Sequence, residues 1–378
     1  MTDRAVRQRL AALRRRVERA TAEGAPQAID AVLVTEEKNR AYLSGFTGSA
    51  GALLITQQAA CLLTDFRYVE QAAGQAPDFE VVKIAGRPWP SVAEQAARLG
   101  LTALGFEAGD LTVEAYTELT AAVRERCPGV QLVPLRDFVE GLRQVKDSGE
   151  VELIRRAVEL GDRAFESVIA GLTSGVTERE LAWRLEVAMR EGGADGLSFP
   201  IIVASGPHGA MPHHRPSERP IGLGEPVVID MGCRLQGYCS DMTRTITLGE
   251  PDSRFWEIYD LVLRAQQACA AGLKAGLTGQ QGDALARDVI ARAGHGEHFG
   301  HGTGHGVGLA IHENPRLTYT ELGQAPVPLG AVVTVEPGVY LPGWGGVRIE
   351  DMVVVGEQRC QILTTAHKHP VVNAAHTP

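Results

Sequence analysis

Two stretches of this chain place carboxylates on strands that are otherwise apolar. In EPVVIDMGCRLQGYCSDMTRTITLG (225–249), VVID reads as a buried strand and TRTITL as a second strand beyond a turn. A two-residue turn at Leu235–Gln236 sets Asp230 opposite Asp241, although Leu-Gln is poor turn chemistry. In VVTVEPGVYLPGWGGVRIEDMVVV (332–355), a turn centred on Gly343 sets Glu336 opposite Glu350, and Pro342, Gly343, Gly345 and Gly346 suit that turn. Like charges facing one another in a sheet are destabilising, and burial adds a desolvation cost. One such hairpin could be a solvent-facing edge. Two with the same design are hard to explain structurally, because four carboxylates near one another would hold protons or metal ions.

Nitrogen ligands stand close by in sequence. All eleven histidines lie at or after His208, so the chemistry is expected in the second half of the chain. In HFGHGTGHGVGLAIHENP (298–315), His301, His305 and His312 are separated by four and seven residues. The five glycines from Gly300 to Gly308 oppose a helix and favour a loop and strand that can approach an ion closely. An oxygen-dominated set with a single imidazole suits Mn²⁺, Co²⁺ or Zn²⁺. Four carboxylates exceed the needs of one ion, and two divalent metal ions sharing bridging carboxylates account for the surplus.

Composition excludes several alternatives. The chain has 378 residues, 44% hydrophobic and 22% charged, enough for two domains with sizeable cores. A net charge of −9 argues against a partner held through nucleic acid phosphates. No apolar run approaches the roughly 20 residues needed to span a bilayer. The six cysteines form no CxxC pair, which fits reduced thiols in the cytoplasm. The Arg-rich N-terminus has Val6, Leu10, Leu13 and Val17 at helical spacing, with Asp3 and Glu18 breaking any targeting pattern, so it reads as an amphipathic helix.

The expected fold class is α/β (α+β) in two domains, 1–145 and 146–378. In the first, strands at 31–35, 51–56, 60–65, 79–84 and 103–107 alternate with helices at 92–100 and 113–126, giving a mixed sheet. FTGSAG (46–51) reads as a tight turn between strands and not as a dinucleotide loop. The polar QVKDSG (144–149) marks the boundary. The second domain runs twice through one plan: helices near 150–172 and 177–192 lead to strands at 199–204 and 227–248, then helices near 252–275 and 280–293 lead to strands at 331–336 and 346–355.

These residues resemble the superfamily of methionine aminopeptidase, aminopeptidase P and prolidase, which has the pita-bread catalytic fold. VVIDMG, SDMTRT, GTGHGVGLAIHE, VEPGVY and RIED occur in order, and FTGSAGALLIT and LLTDFRY look like the creatinase/prolidase N-terminal domain. The resemblance implies a pseudo-twofold catalytic domain with metal ligands Asp230, Asp241, His305, Glu336 and Glu350. Asp230 would chelate one ion, Asp241 and Glu350 would bridge both, and His305 and Glu336 would complete the other. It places His213 on the substrate side, His312 beside the scissile carbonyl and His301 in the downstream subsite. Tyr340 and Arg348 would orient ligands and support charge, while His214 reads as a loop residue.

The implied chemistry is metal-assisted hydrolysis of the bond between an N-terminal residue and proline. Glu336 is the expected general base, with His213 and His312 stabilising the tetrahedral intermediate. Methionine aminopeptidases generally lack the N-terminal domain, and creatinase lacks the complete ligand set. Arg316 falls where prolidases clamp a dipeptide carboxylate, which favours an Xaa-Pro dipeptidase. Aminopeptidase P, acting on longer Xaa-Pro-Yaa peptides, is the alternative, and a non-catalytic pita-bread binding protein is the remote one. Family members of this architecture also imply a homodimer.

Overall fold

The computed structural model describes residues 3–22 and 28–372, which fall into two units, Met1–Leu142 and Arg143–Pro378. In the first, helix α1 (Asp3–Ala22) buries Val6, Leu10, Leu13 and Val17, the stripe that its spacing predicts. Strands β1 (Ala31–Val34), β2 (Ala52–Thr56), β3 (Ala60–Asp65), β4 (Glu80–Ile84), β5 (Ala103–Glu107) and β6 (Gln131–Leu135) form one sheet in the order β4-β3-β2-β1-β5-β6. Pairing is antiparallel across β1–β2–β3 and parallel elsewhere, so the sheet is mixed. Strands β1, β2 and β5 are buried along their whole length, and apolar residues fill them apart from Thr56 at the end of β2 and Glu107 at the end of β5.

Three elements of this unit escape a pattern search. Helix α2 (Glu37–Ser44) buries Asn39 and Arg40 beside Tyr42 and Leu43, so it has no apolar stripe. Its ends are nonetheless well marked: Glu36 accepts from the Asn39 N–H, and Gly45 closes it at φ 80°. FTGSAG therefore joins a helix to β2 and does not lie between two strands. Helix α3 (Val69–Gln75) buries only Ala72, and edge strand β6 carries a proline. Helices α4 (Trp89–Arg98) and α5 (Val113–Arg126) follow the expected pattern.

The second unit follows the short α6 (Glu140–Arg143). Helix α7 (Ser148–Ala170) starts at a capping box in which Asp147 and Glu150 satisfy each other's backbone N–H, so the polar break is a helix-start signal. Next come α8 (Glu178–Glu191), β7 (Gly196–Leu197), β8 (Ile202–Ser205), β9 (Val227–Met231), β10 (Cys233–Leu235), β11 (Tyr238–Cys239) and β12 (Met242–Leu248). The plan then recurs as α9 (Ser253–Gly272), α10 (Gly279–Arg292), β13 (Gly304–Gly306), β14 (Glu313–Leu317), β15 (Val332–Val335), β16 (Gly338–Leu341), β17 (Gly345–Arg348) and β18 (Asp351–Val354), with β19 (Gln361–Ile362) and β20 (Val371–Val372) at the end. One sheet runs β20-β12-β9-β8 and the other β14-β13-β15-β18-β19.

Both halves share a detailed device. An antiparallel pair, β9–β12 or β15–β18, breaks and then resumes as a hairpin, β10–β11 or β16–β17. The second helix of each half is capped by a threonine, Thr177 or Thr278, which bridges to a proline, Pro220 or Pro326. The carboxylates stand at or beside the breaks.

The register of the second half is the expected one: Val335 pairs with Asp351 and Gly338 with Arg348, which puts Glu336 across from Glu350. The first half differs. Asp230 pairs with Thr243, not Asp241, because the turn is Gln236–Gly237 at φ 50° and 84°, with Leu235 opposite Tyr238. Gly237 supplies the left-handed turn residue that Leu-Gln could not. This moves the partner by two residues, which keeps the face, so Asp230 and Asp241 still approach one another diagonally.

At the break beside them, a Cβ on Gly232 would stand 2.0 Å from the Ser240 carbonyl oxygen. Both groups are backbone, so neither can swing aside. Gly232→Ala is expected to cost on the order of 1–3 kcal/mol and several degrees of Tm. Thermal unfolding at the wild-type value would refute this close approach.

Candidate metal centre

The five sequence-nominated ligands come together. Asp230, Asp241 and Glu350 each offer an oxygen within 4.8 Å of the others. His305 Nε2 lies 3.6 Å from Asp241 Oδ2 and 3.4 Å from Glu336 Oε1. Strand β13 can bring His305 this close because Gly304 lacks a Cβ, which would sit 2.0 Å from the Thr334 carbonyl oxygen on β15.

The polar satisfaction of the cluster is incomplete in a telling way. Asp230 Oδ1 and Glu350 Oε1 are buried with no hydrogen-bond partner, a costly state for a carboxylate. The imidazole N–H of His305 is directed by Nδ1 onto the Gly306 carbonyl, 3.1 Å away, which leaves the Nε2 lone pair facing Asp241 and Glu336. A lone pair against carboxylate oxygens is repulsive unless a cation lies between them. Ligand atoms about 2.1 Å from a shared ion sit roughly 3.0–3.4 Å apart, close to the separations here. The residues present therefore fit a metal site.

Electrostatics agree. Burial first, then the charges of Glu350 and Asp230, push the Asp241 carboxyl well above its usual range. Burial and Glu336 do the same to Glu350. Burial raises Glu336 to about 7, and burial together with the nearby His312 lowers His305 to about 3. A neutral imidazole beside carboxylates that resist ionisation together is a set awaiting positive charge.

Buried hydroxyls steady the ligands. Thr243 Oγ donates to Glu350 Oε2 at 2.7 Å, and Thr334 Oγ donates to Glu336 Oε1 at 3.2 Å while accepting from the His305 N–H. Both threonines are fully buried, and each lies two residues from a ligand. A hydroxyl inside an otherwise apolar strand is the signal that could have nominated them. A linear network completes the support: His301 Nε2 accepts from the Tyr340 hydroxyl (2.7 Å), which accepts from Arg348 Nη1 (2.9 Å), and Arg348 Nη2 binds Asp230 Oδ2 (2.7 Å). Tyr340 and Arg348 thus hold His301 and Asp230 in place.

The cluster opens into a cavity of about 800 Å³ lined also by His213, His214, His301, His312, Arg316 and an apolar wall, Phe199–Ile202 with Leu322. His312 packs edge-on against His305, ring centroids 4.4 Å apart. Arg316 pairs across the strands with His305, and its guanidinium, attracted toward Glu336 and Glu313, makes no hydrogen bond or ion pair among the described residues. His213 is exposed at the cavity edge. His214 lies in a loop, as its reading has it, and its ring is tied to Glu178 at 2.9 Å. Among the described residues, no helix is long and apolar enough to cross a membrane.

Comparison with known proteins decides the family. Residues 152–357 match metallopeptidase family M24, and residues 16–145 match the Creatinase/Prolidase N-terminal domain. The chain belongs to metallopeptidase family M24. An Xaa-Pro dipeptidase of Pyrococcus horikoshii is 35% identical over 90% of this chain and 94% of its own length. Among solved structures, an Xaa-Pro dipeptidase from Bacillus anthracis superposes with a TM-score of 0.90 at 43% identity, covering 96% of this chain and 99% of that one. An X-Pro aminopeptidase from Thermotoga maritima gives 0.85 at 37% identity, covering 94% and 100%. The M24 unit has the pita-bread fold, and the centre is that of a metal-dependent hydrolase.

Metal binding should relieve the repulsion described above. Adding Mn²⁺ to chelated protein is expected to stabilise it by about 2.7 kcal/mol at a hundredfold excess over Kd. In Asp241→Asn, metal content, peptide hydrolysis and this metal-dependent rise in Tm should all fall, with the circular dichroism of the fold retained. A chelated, metal-free preparation with full activity would exclude the centre.

Proposed function

We propose that this M24 metallopeptidase is an Xaa-Pro dipeptidase of the cytoplasm, working as a homodimer with two Mn²⁺ ions per chain. The observation that carries the dipeptidase reading is the unpaired Arg316 guanidinium on the cavity wall, on the strand beside ligand His305. A guanidinium without a protein partner suits bidentate capture of a free carboxylate. The similar proteins named as Xaa-Pro dipeptidases support the substrate class. The carboxylate-rich donor set favours Mn²⁺ over softer ions. The free cysteines, five of them buried, are in keeping with a reducing compartment.

Bound metal ions would be held by Asp230, Asp241, His305, Glu336 and Glu350, and would polarise the scissile carbonyl and acidify a water molecule. The chain's own groups do the rest. Glu336 takes the proton from the attacking water and delivers it to the proline nitrogen. That nitrogen carries no N–H in the substrate, so the site recognises the bond without a donor from it. His213 and His312 donate to the oxygen that gains charge as the carbonyl becomes tetrahedral. His301, fixed by Tyr340, lines the space for the proline ring, and Arg316 closes on the terminal carboxylate. A sedimentation mass of twice the 40.4 kDa chain is the result expected for the dimer.

Substrate length tests the clamp. A tripeptide Xaa-Pro-Yaa puts a neutral amide where a dipeptide offers its carboxylate. Loss of a charge-assisted hydrogen bond is worth on the order of 1.5–3 kcal/mol, roughly tenfold to a hundredfold in kcat/KM. Arg316→Ala should therefore depress turnover of Met-Pro or Leu-Pro far more than that of the corresponding tripeptides. Faster wild-type cleavage of Xaa-Pro-Yaa, with Arg316→Ala affecting both substrates alike, would make the protein an aminopeptidase P instead.

A further inference from the structure

A second carboxylate–histidine cluster lies outside the metal centre: Glu178 with His208 and His214, ligating atoms within 4.8 Å of one another. Its chemistry is opposite to that of the centre. Glu178, the first residue of α8, is fully buried, yet neither oxygen lacks a partner. Oε1 accepts from the Ser205 N–H (2.8 Å), Ser205 Oγ (2.7 Å) and His208 Nδ1 (2.9 Å). Oε2 accepts from the Ser217 N–H (3.0 Å), Ser217 Oγ (2.7 Å) and His214 Nε2 (2.9 Å). A carboxylate has about four lone-pair sites, so six donors leave none for a cation. This cluster is a brace.

What it braces is specific. The donors come in two groups from the two ends of one segment, Ser205 and His208 at the start, His214 and Ser217 at the finish. His213, between them, makes no hydrogen bond of its own among the described residues, so the course of this segment sets where its ring stands in the cavity wall. The remaining ties run the same way. The Glu178 and Arg179 N–H groups donate to the Arg219 and Ser217 carbonyls. The His208 and His214 rings pack 4.2 Å apart. On the side facing the metal centre, Arg348 Nη1 reaches the Pro212 carbonyl at 3.5 Å while its Nη2 holds Asp230.

We infer that Glu178 is a positioning residue for peptide hydrolysis: it gathers both ends of the 205–217 segment onto one buried charge and so fixes the His213 imidazole over the metal centre. The inference rests on the proposed peptidase reading for its kinetic consequence, although the brace itself does not. Burial pushes the Glu178 carboxyl up, but the donors from Ser205, Ser217 and His214 outweigh burial and hold it at about 2. The donors gathered on it thus favour the charged form that they hold in place. Glutamine keeps the shape but loses the charge, and its amide nitrogen would face one group of three donors.

Glu178→Gln is expected to lower kcat by about tenfold to a hundredfold, with KM and metal content near wild type, because His213 serves the transition state. In a His213→Ala background the same substitution should change kcat by less than twofold. Equal factors in both backgrounds would overturn the inference, since a general structural defect does not depend on His213. Ser217→Ala removes one donor of six and should show the same background dependence at smaller amplitude, which guards against a Glu178 variant that fails to fold. Hydrogen exchange at the Ser205 and Ser217 amides reads the brace without any substrate. Accelerated exchange in Glu178→Gln supports it, and unchanged exchange overturns it. Failure of wild-type protein to cleave Xaa-Pro peptides would refute the function while leaving this exchange result to stand or fall alone.

Discussion

Repulsion among buried carboxylates is the constraint around which the second unit is organised. Asp230, Asp241, Glu336 and Glu350 are brought together at the floor of a cavity, largely withdrawn from solvent, and two of their oxygens have no protein partner. Such an arrangement is unstable unless positive charge arrives. The surrounding groups spare the cluster only in part: Arg348 neutralises one side of Asp230, and threonine hydroxyls satisfy single oxygens of Glu350 and Glu336. What remains unsatisfied is what a bound cation would satisfy. Stability has been given up locally so that the site holds its shape before its ions bind.

The backbone makes this possible through interruption. Each antiparallel pair loses its regular pairing for a residue or two and recovers as a hairpin, and the carboxylates stand at or beside those interruptions. A continuous ladder would alternate side chains strictly between faces. A break frees the backbone to turn two acids from each half toward a common point. Glycine permits the close contacts this needs, at Gly232 against Ser240 and at Gly304 against Thr334.

Much of this was legible in the residues. The second acidic hairpin declared its register through its Pro and Gly turn, because local turn chemistry and strand pattern agreed. The first did not, since symmetry about the two aspartates points to Leu235–Gln236, whereas Gly237 is the residue there suited to a left-handed turn. Helix α2 was invisible because its buried face is polar, with Asn39 and Arg40 held by specific partners and not by apolar burial. The ligands were legible because buried charge on apolar strands has few explanations. Glu178 was not, because an acid in the first turn of a helix is ordinary in sequence. Only the fold shows that six donors converge on it.

The doubled plan has a consequence for where the centre can exist. Asp230 and Asp241 belong to one half, while His305, Glu336 and Glu350 belong to the other. Neither half alone offers an ion a complete set of ligands, and each alone carries acids that nothing neutralises. A centre built from these residues therefore exists only where the two similar halves meet. A metal ion bound by these five residues would therefore tie the two halves to one another.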